Sequence, residues 1–156
     1  MKGFWRVLSG AVLTCIGGVG AILFAGGSSL QWFANLKQPA LVPAEWTFVP
    51  LWLALYVLMI AALSVIWTTE PHTSEREGWV RFYFVQLVFN GMWVILFFGL
   101  HSILVSLIDM LFLAFIVSGL IASGWEIDKR ASYLLAPYFA CTLFFAYLNL
   151  NIWLIN

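Results

Sequence analysis

Five long apolar stretches constrain the fold of this chain more than any other feature of its sequence. Each has about 20 residues, the length that an α-helix needs to cross the hydrocarbon core of a bilayer. They lie at roughly 7–25, 48–67, 79–100, 102–123 and 132–155. Long runs without alternation of polar and apolar residues also disfavour an outer-membrane β-barrel. The sequence therefore predicts an all-α integral membrane protein, a bundle of five transmembrane helices.

Composition and charge support this fold class. Of the 156 residues, 63% are hydrophobic and only 9% are charged, whereas about a quarter of the residues of a soluble domain carry charge. The length fits a single membrane domain over residues 1–156. Seven basic and seven acidic residues give a formal net charge of zero, which argues against nucleic acid as a partner. The lipid bilayer is the partner that the composition indicates.

The first apolar stretch also resembles a secretory signal peptide, because basic residues precede it and small residues follow it. We expect a retained helix, since this stretch is longer than the apolar core of an ordinary signal peptide. Its small residues at helical spacing suit close packing with another helix. Six Lys and Arg residues fall on the N-terminal face of the predicted bundle, against Lys37 alone on the other. This asymmetry predicts a cytoplasmic N-terminus in a bacterial cell membrane.

The segment between the first and second stretches is rich in proline and tryptophan. Residues 32–56 contain Trp32, Pro39, Pro43, Trp46, Pro50 and Trp52. Proline fixes φ and removes a backbone donor, so residues 32–45 are predicted to form a stiff, non-helical cap. A rigid aromatic cap that leads into a membrane helix suggests a lid over a cavity.

Polar side chains within the third stretch mark a candidate pocket. Gln86, Asn90 and Trp93 have the spacing i, i+4, i+7, which places them on one helix face with Phe97 one turn further on. Amides beside aromatic rings suit a site for a flat, mostly apolar ligand. Hydrogen bonding between helices explains the amides equally well. Both interpretations stay open at this point.

The fourth stretch carries a second polar stripe, formed by Ser102, Ser106 and Asp109. Asp109 is the one acidic residue well inside a predicted span, and such residues are expensive to bury. A proton relay would need a second intramembrane ionisable group, which the stretch does not supply. We therefore favour a structural carboxyl group, either neutral or hydrogen-bonded to serines or to a helix end.

In the fifth stretch, Pro137 precedes Tyr138 and removes one helical hydrogen bond, so a local kink or loosening is expected. Asn149 lies one turn past Phe145, and both are expected to face the interior of the bundle. Hydrogen bonding between helices is again the competing explanation for the asparagine.

No arrangement of residues typical of catalysis or of a metal site is present in the sequence. His72 and His101 fall in predicted loops without acidic or cysteine partners at ligand spacing. Cys15 and Cys141 lie within apolar runs and are interpreted as small buried hydrophobic residues. We expect no metal and no required cofactor.

Several of these segments, in this order, resemble the translocator protein family, also called tryptophan-rich sensory proteins or peripheral benzodiazepine receptors (TspO/MBR). The similarity covers about residues 28–156. The motifs are WFANLKQP (32–39), FVPLWLALY (48–56), QLVFNGMWVILFFG (86–99), LID (107–109), LLAPY (134–138) and YLNLNIWLIN (147–156).

The resemblance implies a five-helix bundle, usually a homodimer, with a ligand pocket under the loop between the first two helices. It implies porphyrins or other tetrapyrroles as ligands, with sterols and benzodiazepine- or isoquinoline-type compounds as further candidates. The implied ligand-binding residues are Trp52, Gln86, Asn90, Trp93, Asp109, Tyr138, Phe145 and Asn149, and the implied lid residues are Trp32, Pro39 and Pro43.

Several residues depart from the pattern of the family, among them Leu154, which replaces a common Arg. Leu41 and Ala44 stand where Trp and a second Pro are common, which implies a looser lid. Cys141 replaces a Trp, which weakens any photochemical role that needs two tryptophans. Phe145 occupies a position that usually holds Ala, and its bulk should narrow the cavity.

The resemblance and the residues together favour a membrane receptor or sensor that binds flat hydrophobic ligands, most plausibly porphyrins. One alternative is an enzyme that degrades porphyrin in a light- and oxygen-dependent reaction, with Trp52 as its reactive residue. Another is a transporter of hydrophobic metabolites, for which the inverted repeat typical of such proteins is missing.

Overall fold

The computed structural model describes Val12 and residues 28–71 and 73–156. The first predicted span at 7–25, apart from Val12, lies outside the described residues, as do Cys15 and His72. The prediction of a retained first helix with a stripe of small residues therefore stays a prediction.

Five helices account for most of the described residues, and no strand occurs among them. They are α1 (Ser28–Asn35), α2 (Glu45–Thr68), α3 (Ser74–Val94), α4 (Ile103–Ile127) and α5 (Lys129–Ile155). A π-helical segment, Ile95–Gly99, extends α3. Helices α2 to α5 are each long and apolar enough to cross a membrane, with α3 counted together with its π segment. The predicted all-α membrane fold is thus confirmed for the described part of the chain.

Helix α3 begins at Ser74, before the predicted start at residue 79. The side chain of Thr73 caps the helix, because its Oγ1 accepts a hydrogen bond from the Arg76 backbone N at 3.3 Å. Glu75 and Glu77 lie in the first turn, where negative charge stabilises a helix. Capping and charge thus extend the helix beyond its apolar part.

The fourth and fifth helices extend beyond the predicted bounds at residues 123 and 132, since Asp128 alone separates α4 from α5. Asp128 has an extended backbone, and its Oδ1 accepts a hydrogen bond from the Arg130 backbone N at 2.9 Å. Its Oδ2 also accepts a hydrogen bond from Thr69 Oγ1 at 3.3 Å, which ties the end of α2 to the start of α5. A single capping residue is therefore enough to reverse the chain.

The prediction of a non-helical cap is wrong for its first part, because Trp32 lies within α1. Pro39 and Pro43 restrict only their own backbone and that of the preceding residue, so the residues before them are free to form a helix. Residues 36–44 are non-helical, as predicted. We refer to residues 28–44 as the lid.

Two prolines lie inside long helices without ending them. Pro50 falls within α2, and Pro137 falls within α5, which runs from Lys129 to Ile155 without interruption. The missing backbone donor at Pro137 therefore does not divide the fifth span into two helices.

Helices α4 and α5 pack closely at the end of the bundle where α4 leads into α5. Trp79 Nε1 on α3 donates a hydrogen bond to the Leu120 carbonyl at 2.8 Å, and Ser132 Oγ on α5 donates one to the Ile121 carbonyl at 2.7 Å. Gly124 lies between these side chains, and a Cβ atom there would be 3.0 Å from Ser132 Oγ and 3.1 Å from Trp79 Nε1. Glycine thus permits close contact among three helices.

Candidate functional site

A small cavity lies among the four long helices. Its volume is about 10 Å³, which is room for about one water molecule. The residues that line it are Trp52, Leu55, Asn90, Trp93, Met110, Leu113, Tyr138, Cys141, Thr142 and Phe145. Five of these were singled out from the sequence as ligand contacts. Three others, Gln86, Asp109 and Asn149, are buried nearby but do not line the cavity.

Three aromatic rings form the apolar wall of the cavity. Phe145 stacks on Trp52, with ring centroids 5.5 Å apart and planes 13° apart. Trp93 lies beside both rings, with its centroid 6.5 Å from that of Trp52 and 6.2 Å from that of Phe145. The wall therefore presents flat aromatic faces, which in this conformation are largely occupied by one another.

A chain of hydrogen bonds forms the polar side of the cavity and links three helices. Tyr56 Oη donates to Asn90 Oδ1 at 2.8 Å, and Asn90 Nδ2 donates to Tyr138 Oη at 3.0 Å. Tyr138 Oη in turn donates to Gln86 Oε1 at 2.9 Å. Asn90 thus bonds to α2 and α5 and also reaches the cavity. Both interpretations of this asparagine, helix contact and pocket residue, are compatible with its position.

This series of hydrogen bonds ends at Gln86, whose amide nitrogen has no hydrogen-bond partner among the described residues. Gln86 is fully buried, and its Nε2 makes no hydrogen bond with any described residue. Asp109 is similar, because its buried Oδ2 has no hydrogen-bond partner among the described residues. The expected hydrogen bond from a serine to Asp109 is thus not found for this oxygen. Ser106 Oγ instead lies 2.8 Å from the Ile103 carbonyl and 3.0 Å from the side-chain amide of Asn149.

Asn149 joins α5 to the start of α4 and to the aromatic wall. Its amide satisfies the surrounding groups in one orientation only. In that orientation, its nitrogen donates to the Ile103 carbonyl at 3.0 Å and its oxygen accepts from Trp93 Nε1 at 3.2 Å. Asn149 therefore positions the indole of Trp93 rather than facing the cavity itself.

The lid packs on the π-helical segment at the end of α3. Trp32 and Phe33 both contact Phe97, with ring centroids 5.4 Å and 5.9 Å apart. Phe97 also stacks on Trp93 at 5.5 Å with an angle of 16°. Trp32 further stacks on His101 at 4.3 Å, and His101 has the positive φ of 53°. A continuous series of rings thus connects the lid with the cavity wall.

The middle of the lid is attached to the end of α5. Lys37 N donates to Asn156 Oδ1 at 2.9 Å, and Asn156 Nδ2 donates to the Lys37 carbonyl at 3.1 Å. Between this contact and α2, a turn closes with a hydrogen bond from Val42 N to the Pro39 carbonyl at 3.2 Å. Pro43 follows that turn. The predicted lid residues thus lie in a segment that contacts the end of α3 and the end of α5.

Sequence reasoning missed several residues of the cavity, although helical spacing contains a signal for them. Thr142 and Cys141 lie one turn before Phe145, and Leu55 lies about one turn after Trp52. Cys141 is a free thiol in the cavity wall and is partly exposed, which corrects its interpretation as a fully buried residue. Once one residue of a helix is assigned to a pocket, its neighbours at i±3 and i±4 are candidates too.

Together these features define a multi-pass α-helical membrane protein with an aromatic cavity among its helices and a lid segment packed on the π-helical end of α3. Comparison with known proteins is more specific. The chain belongs to the TspO/MBR family, whose model matches residues 10–154.

Individual relatives agree with this assignment. The tryptophan-rich protein TspO of Chlorobaculum tepidum is 34% identical over 148 residues, which cover 91% of this chain and 93% of that protein. The protein of the same name from Archaeoglobus fulgidus is 35% identical over 139 residues, 89% of each chain. The translocator protein of Sus scrofa is 31% identical over 128 residues, 81% of this chain and 76% of the relative.

Proposed function

We propose that this protein is a membrane receptor that binds a flat hydrophobic ligand, a porphyrin or another tetrapyrrole, in the cavity beneath the lid. The observation that carries the proposal is the combination of aromatic faces and one amide in a single enclosed site. Trp52, Trp93 and Phe145 supply the faces, and Asn90 supplies the amide. Sites for flat, mostly apolar molecules are built in this way.

The volume of the cavity sets a condition on this proposal. Sites for drug-sized ligands have volumes of about 300–1,000 Å³, whereas this cavity has about 10 Å³. A tetrapyrrole therefore needs the contact between Trp52 and Phe145 to open and the lid to move. Each aromatic contact is worth about 0.5–1.5 kcal/mol, so ligand contacts of the same kind can replace it.

Titration of the detergent-solubilised protein with protoporphyrin tests the site, with the absorbance of the porphyrin as the readout. We expect the Trp52→Phe/Trp93→Phe variant to raise Kd about tenfold, because both indoles would contact the ligand. Trp46→Phe is the matched control, since Trp46 is 77% exposed and lies outside the cavity. Wild-type affinity in the double variant would place the ligand elsewhere.

Illumination of the same complex separates binding from the alternative of light-dependent porphyrin degradation. A receptor that only binds leaves the spectrum of the porphyrin unchanged in the dark, and the bound porphyrin bleaches no faster than free porphyrin in light. Faster bleaching that is lost in Trp52→Phe would favour the enzymatic alternative. The homodimer implied by the resemblance stays a prediction, which the mass of the protein in its detergent complex tests.

A further inference from the structure

The lid is attached to the bundle by two contacts of different kinds. At its first end, Trp32 and Phe33 pack on Phe97 of the π segment, an apolar contact that is partly buried. At its middle, Lys37 forms a pair of hydrogen bonds with Asn156, and both residues are exposed. These two residues are 119 positions apart in the sequence.

The geometry of the second contact is specific. The Asn156 side chain accepts a hydrogen bond from the Lys37 N–H at 2.9 Å and donates one to the Lys37 carbonyl at 3.1 Å. Its Nδ2 also donates to the Ile152 carbonyl at 2.9 Å, which holds the amide against the last turn of α5. A single amide thus pairs with both backbone groups of one lid residue, much as a strand pairs with its neighbour.

Entry of a ligand into the cavity involves both movement of the lid and its contact with Asn156. With space for about one water molecule, the cavity admits no tetrapyrrole while the lid and the aromatic wall keep their present positions. An exposed pair of hydrogen bonds competes with water and is worth little net free energy. It can therefore break and form again without disturbing the packed helices.

We infer that Asn156 is a latch that keeps the lid closed and thereby sets how fast ligands enter and leave the cavity. This inference rests on the proposed function for its effect on ligands, but not for its effect on the lid itself. The latch acts on the backbone of Lys37, so the charge of the lysine side chain has no part in it. The open lid is a minor state in the free protein, and loss of the latch raises its population.

Hydrogen–deuterium exchange of the ligand-free protein tests the latch directly. We expect Asn156→Ala to raise the exchange rate of the backbone amides of residues 36–44 about tenfold, because two hydrogen bonds are lost. Asn151→Ala is the matched control on the same helix, since Asn151 Nδ2 donates only to the Tyr147 carbonyl at 2.7 Å. Lys37→Ala should exchange like the wild type, because the latch uses backbone groups. The inference is overturned if Asn156→Ala exchanges no faster than Asn151→Ala, or if Lys37→Ala raises exchange as strongly.

Stopped-flow binding of protoporphyrin tests the consequence for ligands. In this inference the lid moves to admit the ligand and then closes over it with the latch formed again, so loss of the latch should speed association and dissociation by similar factors, about tenfold, with Kd changed less than twofold. Faster dissociation alone, with weaker binding, would identify Asn156 as a ligand contact and overturn the latch. If no variant binds protoporphyrin, the proposed function fails, while the exchange experiment still decides the inference about the lid.

Discussion

The phenyl ring of Phe145 lies flat against the indole of Trp52, with their centroids 5.5 Å apart. Both residues line the cavity, whose volume is only about 10 Å³, so its space is limited by side chains of its own wall. The resemblance implies Ala at this position, and the larger side chain of Phe145 accounts for part of the small volume of the cavity.

Replacing Phe145 with alanine should enlarge the cavity. We expect Phe145→Ala to lower Kd for a flat isoquinoline-type ligand by up to about tenfold, because the ligand no longer has to break a contact of about 0.5–1.5 kcal/mol. The variant should also unfold at a lower temperature, since large-to-small changes in a core leave a cavity. Leu143→Ala is the control, because Leu143 lies two positions away and is 47% exposed. Equal affinity in the two variants would contradict a cavity limited by Phe145.

The hydroxyl group of Tyr138 should contribute to stability because it joins two buried amides. Tyr138→Phe leaves Gln86 Oε1 and Asn90 Nδ2 without their shared partner. Buried polar groups that lose a partner cost about 1–3 kcal/mol each, so we expect the free energy of unfolding in detergent to fall by roughly 2 kcal/mol or more. Tyr133→Phe is the matched control, since Tyr133 is 65% exposed. A loss of similar size in both variants would show that these hydrogen bonds make no specific contribution to the free energy of unfolding.

Gly124 should tolerate no side chain. A Cβ atom there would approach Ser132 Oγ to 3.0 Å and Trp79 Nε1 to 3.1 Å, and both groups are held by hydrogen bonds to α4 carbonyls. We expect Gly124→Ala to lower the free energy of unfolding by about 1–3 kcal/mol, as overpacking commonly does. Gly119→Ala, on the same helix with nothing within 4 Å of the added Cβ, should be neutral or stabilise the protein by up to about 1 kcal/mol. Thermal unfolding of the two variants checks this, and equal stability would refute the packing argument.

Asp128 should make stability depend on pH in the acid range. The hydrogen bonds from the Arg130 side chain lower the pKa of the Asp128 carboxyl group from 3.8 to about 2. Because the pKa is lower in the folded state, the carboxylate contributes stability above about pH 4 and loses this contribution as the pH falls to about 2. Asp128→Asn keeps a capping acceptor but does not ionise. The difference in unfolding free energy between wild type and this variant should therefore be constant from pH 7 to 5 and shrink between pH 4 and 2. A difference that stays constant down to pH 2 would rule out this role.

Helical spacing placed two residues of the cavity wall on one helix face. Asn90 and Trp93 were assigned to one face from their spacing, and the structure places both in the cavity wall with Trp52, Tyr138 and Phe145. Gln86 and Asn149 share the same faces but are used differently. Gln86 ends a chain of hydrogen bonds, and Asn149 holds the indole of Trp93.

The lid shows where sequence patterns mislead. Proline content predicted a non-helical cap, but Pro39 and Pro43 act only on their own part of the chain, and Trp32 lies in a helix. The pattern also gave no sign of the contact between Lys37 and Asn156. A hydrogen bond between residues 119 positions apart has no local signature, because it depends on how whole helices are placed.

The lengths of the apolar stretches alone determined that this chain forms membrane helices. In a bilayer the backbone N–H and C=O groups of a spanning segment must be hydrogen-bonded within the protein, and a helix of about 20 residues achieves this. The helical period determined which polar and aromatic residues share a face. Only the tertiary structure decided how large the cavity is and how the lid is held. Both depend on side chains from different helices, such as Phe145 on Trp52 and Asn156 on Lys37, and such contacts arise from packing that no single segment encodes.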